Sequence, residues 1–332
     1  MEDEVILQVR NLHTHFASQF GLVKAVNGVA FTLKKGHILG LVGESGCGKT
    51  VTALSILRLI QWPGRILSGE VMFEGRDLLT LDDEEMRRIR GKDISLIFQD
   101  PASSLNPVTP IGAQVQEVIS SHLNIPSSEA KHMAMNIMHQ MGLPDPDTLA
   151  GQYSFQLSGG MAQRVMIAMA TALSPKILIA DEPTSALDVT IQAEILEELK
   201  RLRRERQASI LLITHDMGVI AHMADDVAVM YGGTVVEQAD VFTIFKTPMH
   251  PYTAALLATL PRLDEPRRQL RTIRGTAPNP VDLPAQCAFI PRCNKARNEC
   301  RLNPRPPLVA IEDDHLVACY NPVRYRWDDL DN

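Results

Sequence analysis

Eight consecutive residues constrain this chain more than any other feature: Gly43-Glu44-Ser45-Gly46-Cys47-Gly48-Lys49-Thr50 fits the pattern G-x-x-x-x-G-K-[ST] in full. The apolar run Ile38 to Val42 leads directly into it. Thr50 to Ile60 follows, with Ala53, Leu54, Leu57 and Ile60 at helical spacing. Strand, glycine-rich loop and helix in that order make a phosphate loop rather than a chance glycine-rich turn. The glycines let backbone N–H groups turn inward around phosphate oxygens. Lys49 brings a point charge to the β- and γ-phosphates, and Thr50 offers a hydroxyl to Mg²⁺. Cys47 reads as an ordinary small residue, because backbone matters more than side chain inside such a loop.

At 332 residues the chain is long enough for about two domains. Its 45% hydrophobic and 22% charged residues are those of a folded chain and not of a disordered one. Thirty-three basic against thirty-nine acidic side chains give a formal charge of -6, so no global positive field exists to hold nucleic acid, and none is expected as a partner. No apolar run reaches the roughly 18 residues of a membrane-spanning helix. The acidic start Met1-Glu2-Asp3-Glu4 is unlike a signal peptide, so the expected location is cytosolic, without a crossing of the bilayer.

Val5-Ile6-Leu7 and Val29 to Leu33 read as strands ahead of the loop. From about 100 to 172 the pattern is mostly helical (Gly112 to His122, Ser128 to Met141, Met161 to Ala172), as if helices were inserted into an α/β core. Alternation then resumes with strand Ile177 to Ala180, helix Ile191 to Arg206, strand Ile210 to Ile213, helix Met217 to Met223 and strand Val227 to Tyr231. In the helix Ile191 to Arg206, Ile191, Ile195, Leu199 and Leu202 form one apolar stripe. A largely parallel sheet covered by helices follows from this order. Beyond about residue 246, prolines at 248, 251, 261, 266, 278, 280, 284, 291, 304, 306 and 307 predict a loop-rich appendage.

Asp181-Glu182 follows the strand Ile177 to Ala180. An aspartate at the end of a buried strand beside a phosphate loop is placed to hold Mg²⁺, and Glu182 to orient or deprotonate an attacking water. Gln99 follows the strand Ile94 to Phe98, Leu157-Ser158-Gly159-Gly160-Met161 precedes a helix, Ser185-Ala186-Leu187-Asp188 follows the acids, and His215 ends the strand Ile210 to Thr214. Free N–H groups and the positive dipole end at Ser158, Gly159 and Gly160 make a second anion site.

In order and spacing this set closely resembles the nucleotide-binding subunits of ABC transporters over roughly residues 5 to 245. The resemblance implies an α/β fold of the P-loop NTPase class: a RecA-like core with an antiparallel β subdomain and a helical insertion, plus a small loop-rich C-terminal domain. The expected division is a nucleotide-binding domain at 1–260 and a C-terminal domain at 261–332. The resemblance also implies that Ser158, Gly159 and Gly160 grip the γ-phosphate of ATP held by a partner subunit. Gln99 would sense Mg²⁺ and the attacking water, His215 would contact the γ-phosphate, and Asp188 would belong to the contact between subunits. Taken alone, a loop-exposed Gln, a strand-end His and a helix N-cap Asp are the plainer readings of the last three. Phe20 resembles the family's adenine-stacking aromatic, with Phe16 as the alternative. Ala162 departs from the arginine that many relatives carry after the signature methionine.

His250-Pro251-Tyr252-Thr253 with Leu256-Leu257, together with Gln99-Asp100-Pro101 and Ser104-Leu105-Asn106-Pro107, resembles the ATPases of oligopeptide and dipeptide importers. That implies the D-type ATPase subunit of a peptide importer at the cytoplasmic face of the membrane. Its partners would be a second, F-type ATPase in a heterodimer, two permeases and an extracytoplasmic peptide-binding protein. A related importer for nickel or glutathione, and a soluble ABC ATPase without a transporter, are the competing readings. Four of the five cysteines, Cys287, Cys293, Cys300 and Cys319, cluster in the tail. In a reducing compartment they read as metal or cluster ligands rather than disulfides. Four thiolates can hold tetrahedral zinc or an iron–sulfur cluster, and the spacing Cys287-x5-Cys293 is wider than the C-x(2–4)-C of common zinc ribbons. The likeness of Cys287-Ala288-Phe289-Ile290-Pro291-Arg292-Cys293 to the tails of peptide-importer subunits implies a 4Fe–4S cluster. The cofactors expected are therefore ATP, Mg²⁺ and that cluster, with zinc as its alternative.

Overall fold

The computed structural model describes residues 4–185, 187–260, 272–281 and 283–325. Their contacts divide the chain into two compact units. One comprises Met1–Lys34, Ile38–Thr80 and Thr214–Asn332, the other Lys35–His37 and Leu81–Ile213.

The first unit carries the phosphate loop. Its strand Ile38–Val42 is buried at every residue and pairs in parallel with Asp226–Tyr231, Leu39 opposite Asp226 and Val42 opposite Val229. A continuous apolar run is what a strand covered on both faces requires. Asp226–Tyr231 turns back through Gly232-Gly233 into Thr234–Asp240. That strand pairs with His315–Val317, which pairs in turn with Val309–Glu312. The proline-rich tail thus returns to the sheet of the phosphate loop.

A separate antiparallel sheet is built from Val5–Ser18, Gly21–Lys34, Gly64–Phe73 and Arg76–Asp77. The first two strands are each 14 residues long, far longer than the fragments expected from the sequence. Register shifts between Val9 and Leu12 and between Thr14 and Phe16 explain the shortfall. Each bulge resets the alternation of inward and outward side chains, so the period of two survives only in pieces.

The helix after the loop, Lys49–Ile56, ends a turn earlier than its apolar spacing predicts. Arg58 adopts a left-handed conformation, φ 52°. The Arg58 N–H then bonds to Ser55 O at 3.0 Å and the Leu59 N–H to Leu54 O at 2.8 Å. This pair of bonds satisfies the last carbonyls and stops the helix regardless of the apolar residues beyond it.

Prolines do not prevent helix in the tail. Pro251 opens the helix Pro251–Leu257 at a position where no N–H is needed, and the imidazole of His250 caps it, Nδ1 accepting from the Tyr252 N–H at 3.0 Å. The carboxylate of Glu237, fully buried, accepts from the Met249 N–H at 2.6 Å and the His250 N–H at 3.0 Å. His315 Nε2 donates to it at 2.7 Å. A buried charge is tolerated when its lone pairs are filled this way.

The second unit is built on parallel strands: Ile94–Ile97 pairs with Ile177–Asp181, which pairs with Ser209–Thr214. Helices Ile111–Ser120, Ser127–Gln140, Gly159–Thr171 and Val189–Arg206 belong to the same unit. In Val189–Arg206 the buried stripe is Ile195, Leu196, Leu199 and Leu202, with Ile191 only half-buried. Arg203, Arg204 and Arg206 fill its last turn, where the helix dipole favours cations.

Burial lowers the pKa of His250 from 6.5 to about 4. Between those values the unfolded chain binds a proton that the folded chain refuses, so stability is present above pH 6.5 and falls as the pH drops towards 4. His250 should account for roughly 2 kcal/mol of lost stability between pH 7 and pH 5. His250→Asn keeps a capping acceptor without titrating, so its unfolding free energy by urea should fall less over that interval. Some dependence should remain, because burial lowers His13, His15 and His122 in the same sense.

Candidate functional site

The phosphate loop has the backbone its motif demands. Gly48 has φ 104°, and a Cβ there would meet Ala25 O at 2.1 Å; Gly43 has φ 156°, and its Cβ would meet Met230 O at 2.2 Å. Both the conformation and the space exclude a side chain at these two positions. Lys49 is buried at the start of the helix and folds its ammonium over the loop, donating to Gly43 O at 2.8 Å and Glu44 O at 3.2 Å. Thr50, one residue later, is exposed. Cys47 is buried with its thiol pushed up by burial, so it is a neutral packing residue.

Two groups distant in sequence hold the second loop residue, Glu44. The Tyr252 hydroxyl accepts the Glu44 backbone N–H at 3.0 Å, and burial drives its phenol well above the usual range, so it stays neutral. Arg292 pairs with the Glu44 carboxylate through both terminal nitrogens, at 2.7 Å and 3.0 Å, and those bonds push the guanidinium pKa still higher. Phe289 packs edge-on to Tyr231 and Tyr252, ring centroids 5.1 and 5.5 Å away. Neither contact is legible from the loop motif. Tyr252 and Arg292 lie inside the strings that carry the family resemblance, which gives neither of them a task.

Of the two aromatics considered for adenine, Phe16 is half-buried and lies so close to Gly64 that a Cβ there would meet its ring at 2.4 Å. Phe20 sits in the turn between the two long strands with 77% of its surface exposed. His215, in the same unit, is exposed just beyond the strand Ser209–Thr214.

In the second unit, Asp181 is buried as the last residue of Ile177–Asp181. Glu182 follows with φ 47° and donates its N–H to Ile213 O at 2.8 Å. Gln99 Nε2 donates to the Glu182 carboxylate at 3.4 Å, and Ser185 Oγ donates to Gln99 O at 3.3 Å. The chain therefore brings Gln99, Glu182 and Ser185 together from positions over eighty residues apart. Ser158 caps the helix Gly159–Thr171, its hydroxyl accepting from the Met161 N–H at 3.3 Å, and both Ser158 and Gly159 are exposed. Gly160 has Ile191 Cγ2 3.1 Å from where its Cβ would sit. Asp188 caps Val189–Arg206 by accepting from the Ile191 N–H at 2.9 Å. That is the plainer of its two expected tasks.

Cys287, Cys293, Cys300 and Cys319 line one cavity in the tail, with Phe289, Pro306 and Tyr320 among its other walls. All four are free thiols. Burial, and then the neighbouring sulfurs, push Cys319 up to about 12. Sharing a wall is not the same as converging on one ion. Among the described residues no group of three or more His, Cys, Asp or Glu is arranged to hold a metal ion.

Residues 26–185 match the family described as ABC transporter, and residues 236–300 the one described as Oligopeptide/dipeptide transporter, C-terminal region. The Oligopeptide transport ATP-binding protein AppD of Bacillus subtilis is 45% identical over 95% of this chain and 96% of its own length. The Dipeptide transport ATP-binding protein DppD of Escherichia coli is 42% identical over 96% of this chain and 97% of its own. Among solved structures, the ATP-binding cassette MJ0796 in a dimeric post-hydrolysis state with ADP and Pi superposes with a TM-score of 0.65 at 26% identity. The match covers 71% of this chain and 99% of that one. The chain belongs to the ATP-hydrolysing subunits of ABC transporters, in the branch that carries the oligopeptide/dipeptide transporter C-terminal region.

Proposed function

We propose that this chain hydrolyses ATP to power an importer of dipeptides or oligopeptides. The observation that carries the reading is the union, in one chain, of a complete phosphate loop with the peptide-transporter C-terminal region. The division proposed is a nucleotide-binding domain at 1–260, with its helical part at about 100–172, and a Cys-rich domain at 261–332. The partners proposed are a second ATPase subunit in a heterodimer, two permeases and an extracytoplasmic peptide-binding protein. The location proposed is peripheral, at the cytoplasmic face of the membrane. No helix among the described residues is long and apolar enough to cross a membrane.

In the mechanism proposed, the loop N–H groups and Lys49 neutralise the phosphates of ATP, and Phe20 stacks on its adenine. Thr50, Asp181 and Gln99 would hold Mg²⁺, as the family resemblance implies, the first two with the hard oxygen ligands that ion prefers. When bound, that ion supplies further neutralisation of phosphate charge. Glu182 orients or deprotonates the attacking water. Gln99, hydrogen-bonded to its carboxylate, holds it in place. His215 contacts the γ-phosphate. Ser158, Gly159 and Gly160 present a helix N-terminus to ATP on the partner subunit, and Asp188 lies in the contact between subunits. In the reconstituted transporter, peptide with its binding protein should stimulate ATP hydrolysis. Glu182→Gln should keep ATP binding while lowering turnover by about a hundredfold or more. Turnover that peptide leaves unchanged would contradict import, and undiminished hydrolysis would contradict the role of Glu182.

For the four tail thiols we propose a 4Fe–4S cluster, with zinc as the alternative. In its support, Cys287, Cys293, Cys300 and Cys319 are free thiols that line one cavity, and four thiolates are the ligand set such a cluster takes. When bound, the cluster staples the tail. Anaerobically purified protein should contain about four irons per chain and absorb in the visible. One zinc per chain without visible absorption would contradict the cluster.

A further inference from the structure

We propose that Arg292 is a positioning residue for the phosphate loop, so that the tail sets the chain's affinity for ATP. The guanidinium is almost fully buried, with 5% of its side chain exposed. All five of its N–H donors are engaged. Nε donates to Arg274 O at 2.9 Å, Nη1 to Glu44 Oε2 at 2.7 Å and Tyr231 Oη at 3.3 Å, and Nη2 to Glu44 Oε1 at 3.0 Å and Ile273 O at 3.3 Å. A planar five-donor fork with every prong taken has one orientation, and a lysine cannot reproduce it.

Glu44 gains two things from this contact. Its carboxylate stands inside a loop built to attract polyphosphate, where an unpaired negative charge would repel the ligand. Arg292 cancels that charge. The fork also holds the side chain of a loop residue whose backbone N–H is already fixed on Tyr252, so the entrance to a glycine-rich and intrinsically soft loop is pinned at two points. A chain that arrives preorganised loses less entropy on binding.

The fork itself is held by the tail. Arg292 ends the short turn Ile290–Arg292, whose neighbours Cys287 and Cys293 line the thiol cavity. Phe289, 2% exposed, anchors the same turn against Tyr231, Tyr252 and His250. One seven-residue string thus touches the thiol cavity at both ends and the phosphate loop near its end.

The inference rests on the phosphate loop holding ATP. The full-length chain and its variants are titrated with a fluorescent ATP analogue, with thermal unfolding recorded on the same samples. Lys49→Ala provides the reference for a loop that has lost its phosphate lysine, so failure of the loop is distinguished from failure of the clamp. Arg292→Gln should weaken ATP binding about tenfold, the consequence of a part-buried carboxylate left unpaired beside the phosphates. Arg292→Lys, which keeps the charge and loses the fork, should fall between. Glu44→Gln combined with Arg292→Gln should recover part of the lost affinity, a rescue that mere loosening of the tail would not give. ATP affinity unchanged in both Arg292→Gln and Arg292→Lys would overturn the proposal, as would a double variant that binds more weakly than Arg292→Gln alone.

Discussion

A single buried carboxylate carries much of the arrangement around the phosphate loop. Glu237 lies in the strand Thr234–Asp240 and fills its lone pairs with the backbone N–H groups of Met249 and His250 and the ring of His315. Those contacts tie the start of the helix Pro251–Leu257 and the last strand pair of the tail to the sheet that feeds the loop. Removing a donor would leave a buried acceptor unsatisfied, at a cost of about 1–3 kcal/mol. Because His250 is fixed, Tyr252 is fixed, and its hydroxyl meets the loop at Glu44.

This placement changes how the proline-rich region is understood. Prolines exclude regular backbone only where an N–H is needed or a helix interior is crossed. Here Pro251 starts a helix, and the tail contributes strands and one buried arginine to the neighbourhood of the nucleotide loop. The appendage is part of the unit that contains the phosphate loop. In this chain the loop motif is therefore supplemented by contacts from the C-terminal region at Glu44.

How much of this was legible in the sequence depended on whether the signal is local. The phosphate loop, the strand Ile38–Val42 and the acids at 181 and 182 could be read because strand, loop and helix follow one another within a few residues. The two long strands were seen only in fragments because bulges break their alternation. The helix after the loop is shorter than its apolar spacing predicts, since periodicity cannot register the left-handed Arg58 that ends it. Arg292 and Tyr252 were invisible as contacts, because their partner Glu44 lies more than two hundred residues away and nothing in either string encodes that distance. The pairing of Gln99 with Glu182 belongs to the same class. The resemblance placed both residues in one reaction, but their hydrogen bond is a product of parallel strand order.

The proposed function requires the loop at 43–50 to be half of a composite site, completed by the serine and glycines of another ATPase subunit. Sedimentation of the full-length Glu182→Gln chain mixed with its paired ATPase subunit tests this most directly. The account predicts a one-to-one complex that forms with Mg-ATP and dissociates with ADP. An association state that is the same with ATP, with ADP and without nucleotide would contradict it.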